Sequence, residues 1–554
     1  MISKRIEELL LKKKWLSDEQ LQEAQREQRA SKVPLGTILV QKGLISPEQL
    51  AQALAEQYKM PFVSLREMEI SREAVDQVPV KVALHFKIVP VRLENGVLTV
   101  AISNPQDVRL LDDLRVALQG RFSINPVLAT EEEIGQALKR NYGVGAETVD
   151  QILAGQRPGA AETAGDEAIE NIQELAGDAS VIKLVNQLIL EAHARRATDI
   201  HLEPYREKIK LRYRIDGILH NIDVPPTIRQ LFPAIISRVK VLSNLSLVER
   251  RLPQDGRASV KIGEEKLDLR ISILPSSRGE SIVVRILPNQ RMIGLKDLGF
   301  REEDLRMLEA IVRKPHGLVF VTGPTGSGKT TTLYACLNTI NSDDRKIITI
   351  EDPVEYEMEG VTQVQVNPAI GLTFAQGLRS MLRHDPDVMM VGEVRDTETA
   401  ELAIRIALTG HLVLSTIHTN DATSGISRLI DMGIDPYLIT SSVECIVAQR
   451  LVRLLCPECK VAGASSLPGM EKAFQAKGCR ACHRTGFRGR TAIYEFFLLS
   501  QQIKDLILQR SSADAIRKAA IELGMQPMRE MGWEKVKAGL TTLDEVLRAT
   551  QDEK

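Results

Sequence analysis

Residues 323–330 place three glycines, a lysine and a threonine at the spacing of a phosphate-binding loop. An apolar strand, residues 318–322, precedes the loop and a helical segment follows it, so backbone N–H groups can turn inward around phosphates. The spacing predicts that Lys329 reaches the β- and γ-phosphates of ATP and that the Thr330 hydroxyl binds Mg²⁺. The predicted nucleotide-binding residues of this segment are Gly323, Pro324, Thr325, Gly326, Ser327, Gly328, Lys329, Thr330 and Thr331.

Two further apolar strands end in carboxylates. Residues 347–350 run into Glu351 and then Glu355, and residues 387–392 run into Glu393. Acidic groups at the carboxyl ends of parallel strands face the ligand crevice of the sheet. One such group can deprotonate the water that attacks the γ-phosphate, and another can hold Mg²⁺. A solvated acidic loop and a plain core strand are the alternative interpretations.

Two histidines, His411 and His418, flank a short apolar strand, residues 412–417. A single histidine is usually structural. Two histidines beside phosphate-binding loops are better interpreted as γ-phosphate contacts or nucleotide sensors, because imidazole donates hydrogen bonds to anionic oxygens. We therefore predict that both belong to the nucleotide site, with a structural role as the alternative.

Four cysteines form two Cys-x-x-Cys pairs separated by 19 residues, namely Cys456, Cys459, Cys479 and Cys482. Four thiolates in two tight turns match tetrahedral Zn²⁺, and no ligand position is left open, so the predicted metal is structural. Four free thiols and an iron–sulfur cluster are the alternatives. Cys336 and Cys445 lie in apolar segments and are predicted core residues.

Composition limits the classes of function. The 554 residues have a net charge of −1 and 4% aromatic residues, which gives little support for a basic groove or for stacking on nucleic acid. The chain contains no apolar run of the ~18 residues needed to cross a bilayer, and its first residues are charged. We therefore expect a cytoplasmic protein that does not bind nucleic acid.

The pattern of apolar residues and turn residues indicates several domains. Residues 1–57 repeat weakly with an offset of 29, and Ser17 and Ser46 are predicted helix caps. The predicted order is a helical repeat (1–57), an α/β unit (61–142), a flexible linker (143–178), a middle domain (179–290), and an ATPase domain (291–554) with a zinc-binding loop (456–482) and C-terminal helices (500–554).

Four segments resemble, in order and spacing, the Walker A, Asp box, Walker B and His box of secretion ATPases: residues 323–330, 351–355, 392–396 and 409–419. The chain is similar over nearly its whole length to the branch that holds type II secretion protein E and the type IV pilus extension ATPase. Residues 199–204 and 212–217 match the middle domain of that family, and the tetracysteine loop is typical of the branch. The Asp box and residues 371–379 are slightly more similar to secretion protein E.

The resemblance implies a multi-domain α/β protein with a RecA-like P-loop NTPase C-terminal domain, a PAS-like α+β middle domain and a mixed helical and α/β N-terminal domain. It implies a homo-hexamer that holds nucleotide between the middle and C-terminal domains. The ring would use ATP, Mg²⁺ and structural Zn²⁺. It would work at the inner face of the inner membrane, with platform and cytoplasmic adaptor proteins.

The resemblance also assigns roles to single residues. Glu355 would be the catalytic carboxylate, and Glu393 would serve Mg²⁺ and the water network. One or more of Arg270, Arg278 and Arg285 would act as arginine fingers; their strand pattern alone is equally consistent with a solvated face. Two rival classes are a P-loop nucleic-acid translocase and a nucleotide-gated scaffold with little turnover.

The N-terminal repeat resembles a module that binds cyclic di-GMP. Each copy departs from that pattern: Glu7 stands where the second copy has Gly36, and Lys14 where it has Gly43. A carboxylate at Glu7 would oppose an approaching phosphate. The fold is expected to be kept, and two roles stay open: binding of cyclic di-GMP and docking to a membrane-platform partner.

Overall fold

The computed structural model describes residues 3–31, 34–66, 68–107, 109–153, 170–171, 181–287, 293–464 and 472–550. The chain divides into two compact units, Met1–Leu287 and Pro288–Lys554. The second unit begins at Pro288, three residues before position 291, where the sequence predicts that the ATPase domain begins. Among the described residues, no helix has both the length and the apolar character that crossing a bilayer requires.

The first unit begins with four helices, α1 (Ser3–Lys12), α2 (Asp18–Ser31), α3 (Leu35–Gln41) and α4 (Pro47–Tyr58). The predicted cap of α4 is confirmed: the Gln49 N–H donates to Ser46 Oγ at 3.1 Å, and the Ser46 N–H donates to Gln49 Oε1 at 2.8 Å. The repeat is visible in the backbone, since Lys14 (φ 57°) and Gly43 (φ 67°), 29 residues apart, both adopt the left-handed conformation. The two copies therefore share one local fold.

A small α/β layer follows the repeat. Its sheet has the order β1-β2-β3, with β1 and β2 antiparallel and β2 and β3 parallel. Ile88, Leu98 and Val100 are fully buried in its core. The elements are α5 (Arg72–Gln77), α6 (Val80–His85), β1 (Val89–Glu94), β2 (Val97–Ile102), α7 (Leu110–Ala117), β3 (Ser123–Leu128) and α8 (Glu131–Tyr142).

The predicted flexible linker, residues 143–178, is partly ordered, so the prediction is wrong for the first part of this segment. Residues Ala146–Leu153 form helix α9, and Val149 is fully buried in the apolar core of the middle domain. The Thr148 hydroxyl donates to Gln187 Oε1 at 3.0 Å. The segment is ordered because tertiary burial of a few apolar side chains outweighs its polar composition. The predicted linker also covers 154–169 and 172–180, which lie outside the described residues.

The middle domain is an antiparallel sheet covered on one face by two helices. The sheet has the order β4-β8-β9-β10-β5-β6-β7, and only β4 and β8 pair in parallel. Alternate residues of each strand are buried, so the other face is free for polar side chains. The elements are β4 (Glu170–Asn171), α10 (Val181–Ala194), β5 (Ala197–Pro204), β6 (Ile209–Ile215), β7 (Ile218–Ile222), α11 (Ile228–Leu242), β8 (Gln254–Ile262), β9 (Glu265–Ser276) and β10 (Gly279–Leu287).

The second unit is built on a seven-stranded sheet of order β13-β12-β14-β15-β11-β16-β19, in which only β19 is antiparallel. Its central strands are buried on both faces, which explains their continuous apolar sequence. Its strands are β11 (Gly317–Thr322), β12 (Ile347–Glu351), β13 (Val361–Gln365), β14 (Val388–Val391), β15 (Leu412–Ile417), β16 (Val443–Leu455) and β19 (Phe487–Leu498). Two further strands, β17 (Lys460–Ala464) and β18 (Lys472–Ala476), pair with each other in a separate antiparallel sheet.

Helices cover both faces of this sheet, and the last four follow β19. They are α12 (Glu302–Val312), α13 (Lys329–Ile340), α14 (Phe374–Met381), α15 (Thr397–Leu408), α16 (Ser424–Asp431), α17 (Pro436–Ser442), α18 (Gln501–Leu508), α19 (Ala513–Glu522), α20 (Met528–Lys537) and α21 (Leu543–Ala549), with short 3₁₀ turns at Leu295–Leu298, Pro368–Ile370 and Leu382–His384. Parallel strands joined by covering helices bring the loops after the strands to one edge of the sheet.

Candidate active site

The phosphate-binding loop joins the end of β11 to the start of α13, as the sequence predicts. The N-cap of the helix is Gly328, so the first free N–H groups of α13 face the loop. The hydroxyl residues Thr325 and Thr330 are exposed, while Ser327 is buried beneath the loop. This arrangement places free amides and the Thr330 hydroxyl where a phosphate and its Mg²⁺ approach a helix N-terminus.

Glycine is required at the two ends of this loop. Gly323 has φ 145° and Gly328 has φ 90°. A Cβ on Gly323 would lie 2.5 Å from the carbonyl oxygen of Gln449, and one on Gly328 would lie 2.9 Å from Gln449 Nε2. The loop therefore packs directly on the side chain and backbone of β16.

Gln449 supports the loop from below, a role that the sequence analysis missed. Its side chain is 1% exposed, donates to the Ser327 carbonyl at 2.7 Å and accepts from the Thr332 hydroxyl at 2.8 Å. The sequence does contain a signal for this role, since Gln449 is a single amide side chain within the largely apolar strand β16. A buried amide needs hydrogen-bond partners, so such a residue is expected to support a neighbouring segment.

Lys329 lies over the loop, and its ammonium donates to the carbonyls of Gly323 at 2.9 Å and Pro324 at 3.1 Å. Burial lowers the pKa of Lys329, and the nearby Glu393 carboxylate offsets part of this shift. A phosphate beside the ammonium would favour its charged form further. The geometry fits the predicted role of Lys329 in binding anionic oxygens.

Parallel pairing brings the ends of three strands, β11, β14 and β15, to the edge of the sheet that carries the loop. Thr322 on β11 pairs with Ile417 on β15, and Val391 on β14 pairs with Ser415. The Thr419 N–H donates to Thr322 Oγ1 at 2.8 Å, which joins the base of the phosphate-binding loop to the segment after β15. The register therefore gathers the predicted Walker A, Walker B and second-histidine segments.

Glu393 and His418 form a pair at this edge. The Glu393 carboxylate contacts His418 Nε2 at 3.2 Å through one oxygen and Arg395 at 2.6 Å through the other. Glu393 is only 9% exposed. Because His418 and Arg395 contact different oxygens of its carboxylate, they hold it in one orientation. The arrangement can hold a hydrated Mg²⁺ next to Lys329 and the loop.

His411 lies elsewhere, and this corrects the prediction for the histidine pair. It precedes β15 whereas His418 follows it, so a six-residue strand of about 20 Å separates them. His411 Nδ1 contacts the Ile406 carbonyl at 3.2 Å. The two ends of one strand must lie at opposite edges of a sheet, which excludes His411 from the site that its own chain builds around Lys329.

Glu351 is buried rather than directed at a ligand. Its carboxylate is 2% exposed and accepts hydrogen bonds from the Tyr334 hydroxyl, from Thr349 Oγ1 at 2.5 Å and from Gln363 Nε2 at 3.2 Å. The structure therefore does not place Glu351 among the groups that contact nucleotide. Glu355 lies four residues later in the loop after β12 and is half-buried.

The predicted arginines lie in the first unit, on the polar face of the middle-domain sheet. Arg270 on β9 pairs in register with Arg285 on β10 and with Arg257 on β8. Arg285 donates to Asp199 at 2.9 Å. Arg278 lies in the turn between β9 and β10, seven residues and on the order of 20 Å from Arg285 along the strand. The structure therefore groups Arg257, Arg270 and Arg285 and separates Arg278 from them.

The four predicted zinc ligands converge at the base of the segment between β16 and β19. Their sulfurs all lie within 4.8 Å of one another, and three measured pairs, Cys456–Cys479, Cys459–Cys482 and Cys479–Cys482, are 3.7–3.8 Å apart. A tetrahedral site with Zn–S bonds of about 2.3 Å requires sulfurs about 3.8 Å apart. The residues present therefore fit Zn²⁺.

Backbone amides complete this cluster. Cys482 Sγ accepts N–H bonds from Cys479 at 3.1 Å and from Gly486 at 3.2 Å. Such donors favour the thiolate, which is the form that binds a metal. Cys336 on α13 and Cys445 on β16 are fully buried in one apolar cluster, which confirms them as core residues. Burial raises the pKa of each thiol.

A doubly wound, mostly parallel sheet with a phosphate-binding loop, a buried carboxylate in contact with an exposed histidine, and an acidic loop at one edge defines the class of P-loop ATPases. A family model described as type II/IV secretion system protein matches residues 174–548, and a MshEN domain model matches residues 58–148. The chain belongs to the type II/IV secretion system protein family and is an ATP hydrolase, as the sequence motifs predicted.

Relatives of both kinds that the predicted branch holds match over nearly the full length. The type IV pilus assembly ATPase PilB of Myxococcus xanthus is 41% identical over 567 residues, covering 99% of this chain and 99% of the relative. The type II secretion system protein E of Xanthomonas campestris pv. campestris is 40% identical over 565 residues, with 99% and 98% covered. The Legionella pneumophila ATPase DotB is 20% identical with a TM-score of 0.51, covers 70% of this chain and 98% of that one, and is similar in fold alone.

Proposed function

We propose that this chain is the cytoplasmic ATPase motor of a type II secretion pseudopilus or a type IV pilus. Six copies form a ring that drives an inner-membrane platform, with cytoplasmic adaptor proteins, to extract pilin-like subunits. The observation that carries the proposal is the convergence of Lys329, Glu393 and His418 at one sheet edge, beside the loop that bears Glu355. Full-length similarity to a pilus assembly ATPase and to a type II secretion protein supports the same system.

The residues of the site have defined roles in the proposed reaction. Lys329 and the loop amides bind the β- and γ-phosphates, and the Thr330 hydroxyl binds the Mg²⁺ that accompanies ATP. Glu355 accepts the proton of the attacking water, which forms a bond to the γ-phosphorus as the bond to ADP breaks. Glu393 would serve the Mg²⁺ that accompanies ATP and its water network, and His418 orients Glu393 and senses the γ-phosphate.

In this proposal, arginines of the middle domain stabilise the negative charge that develops on the transferred γ-phosphate. Arg270 and Arg285 act as arginine fingers, because each guanidinium group has the planar donor geometry that phosphate oxygens match and the two residues are register partners on neighbouring strands. Asp199 holds Arg285 in place until a phosphate competes for it. Arg278 is too far along the hairpin to share a phosphate with them.

The N-terminal repeat docks the motor on a membrane-platform partner in this proposal. Glu7 and Lys14 replace the glycines that the second copy keeps. A carboxylate about 4 Å from a phosphate costs about 1–4 kcal/mol. We expect calorimetric titration of cyclic di-GMP into the full chain to give no saturable heat, and Glu7→Gln to recover more binding than the exposed control Glu8→Gln. Saturable binding by the unaltered chain would instead assign the repeat to cyclic di-GMP.

Substitution of Lys329 tests the motor. We expect Lys329→Ala to lower ATP turnover by about 100-fold or more, because it removes a cation aimed at the transferred phosphate. Steady-state hydrolysis is measured against protein concentration, with particle mass determined in parallel. Lys518→Ala, an exposed lysine on α19, is the matched control and should behave as the unaltered chain.

The outcomes separate the two parts of the proposal. Turnover per chain that rises together with a six-fold particle mass supports an ATPase that is active as an assembled ring. Full turnover by a particle of one chain, 61.6 kDa, would refute the ring. Activity that survives Lys329→Ala would refute the assignment of the active site.

A further inference from the structure

Tyr334 lies in the middle of α13, the helix that begins at the phosphate-binding loop. Its side chain is 1% exposed, and its ring packs edge-on against Tyr356 with centroids 4.7 Å apart and an interplanar angle of 75°. The ring is therefore held on both the helix side and the loop side. A buried phenol needs hydrogen-bond partners for its hydroxyl.

The hydroxyl of Tyr334 makes three hydrogen bonds to the acidic segment. It donates to the Glu351 carboxylate, accepts from the backbone N–H of Glu355 at 3.3 Å, and accepts from Gln363 Nε2 at 3.2 Å. Burial, followed by the hydrogen bond to Glu351, raises the pKa of the phenol, so it stays protonated and remains a donor. One oxygen thus joins the P-loop helix to strand β12 and to the loop that carries Glu355.

The surrounding contacts keep this loop in one position. Gln363 on β13 also donates to the Tyr356 carbonyl at 3.1 Å and accepts from the Met358 N–H at 2.8 Å. Thr349 supplies another donor to Glu351. The loop around Glu355 is therefore held by a buried network, and the Tyr334 hydroxyl links this network to the nucleotide-binding helix.

We infer that Tyr334 is a positioning residue for the water-activating carboxylate. Its hydroxyl holds the Glu355 backbone at a set distance from the phosphate-binding loop, so that the helix that binds ATP also places the base. This inference rests on the proposed function, in which Glu355 accepts the proton. A misplacement of about 1 Å in a reacting group is enough to cost on the order of 100-fold in rate.

The variant Tyr334→Phe removes this hydroxyl and keeps the ring. We expect kcat to fall by about 10-fold or more at saturating ATP, with the dissociation constant for ATP changed by less than about 2-fold, because the Tyr334 hydroxyl is buried and bonded to protein groups alone. Turnover is counted per nucleotide-binding site, which corrects for any unfolded fraction. Tyr437→Phe, an exposed tyrosine on α17, is the matched control.

A double-mutant cycle with Glu355→Gln tests whether Tyr334 acts through Glu355. If it does, Tyr334→Phe lowers kcat in the unaltered chain and has no further effect in the Glu355→Gln background. The same fold-decrease in both backgrounds would overturn the inference. Unchanged kcat in Tyr334→Phe alone would also overturn it while leaving Glu355 as the base.

A wrong assignment of Glu355 as the base would give a different result from a wrong role for Tyr334. Normal turnover by Glu355→Gln would remove the base from the proposed mechanism, whatever Tyr334 does. A further variant, Glu351→Gln, keeps the Tyr334 hydroxyl and its bond from the Glu355 N–H. We expect its loss of kcat to be smaller than that of Tyr334→Phe, and a larger loss would assign the effect to the Glu351 carboxylate and overturn the role of the hydroxyl.

Discussion

Replacement of Glu355 by glutamine is expected to lower ATP turnover by about 100-fold or more and to leave ATP binding intact. A general base contributes about 10²–10⁴-fold to a hydrolysis, and an amide of the same shape accepts no proton. The backbone N–H of Glu355 keeps its bond to Tyr334, so the loop should stay in place. Steady-state hydrolysis and equilibrium binding of a fluorescent ATP analogue measure the two effects separately.

Glu357 provides the control for this substitution. It lies two residues further along the same loop and is exposed, so Glu357→Gln removes one charge from the loop without touching the network below. We expect its turnover to stay within about 2-fold of the unaltered chain, as for most exposed substitutions. Equal losses in both variants would mean that the loop acts through its total charge, and the base would have to be sought elsewhere.

Loss of the zinc site is expected to have a large effect on stability. Cys459→Ser removes one of four ligands, and we expect the bound zinc to fall from one ion per chain to none. In the segment between β16 and β19, Ala473 is buried in a small apolar cluster with Val536 of α20 and Val546 of α21. Without the metal we expect the second unit to lose about 3 kcal/mol or more, which lowers its unfolding midpoint by roughly 6–12 °C.

Metal analysis and thermal unfolding measured together test this expectation. Cys336→Ser is the matched control, because it alters a buried cysteine outside the cluster and should retain one zinc per chain. Purified protein that contains iron and absorbs visible light would identify an iron–sulfur cluster instead. If the purified unaltered protein contains no metal, and Cys459→Ser leaves the unfolding midpoint unchanged, the four cysteines are free thiols.

Several features of the fold follow from the sequence because they depend on neighbouring residues. The caps at Ser17 and Ser46 each use a glutamine three residues later, and both form as predicted. The left-handed glycines around Lys329 and the two cysteine turns are equally local. A short motif determines its own backbone geometry, so its structure can be predicted before the fold is known.

The positions of the two histidines show where local analysis was incomplete. The sequence already places His411 before a six-residue apolar strand and His418 after it. Because the ends of one strand lie at opposite sheet edges, that strand length was the available signal for separating them. The helix at 146–153 had a weaker signal, since burial of Val149 depends on the middle domain.

By itself the sequence determined the phosphate-binding loop, the four-cysteine cluster, the fold class and the family, because each is carried by contiguous residues or by their order. The tertiary structure alone decided that Gln449 supports the loop, that Arg257 joins Arg270 and Arg285, and that Tyr334 links the loop helix to Glu355. Those contacts join residues 13 to 122 positions apart in the chain. Strand register and helix packing bring such residues together, and neither is encoded in a local pattern.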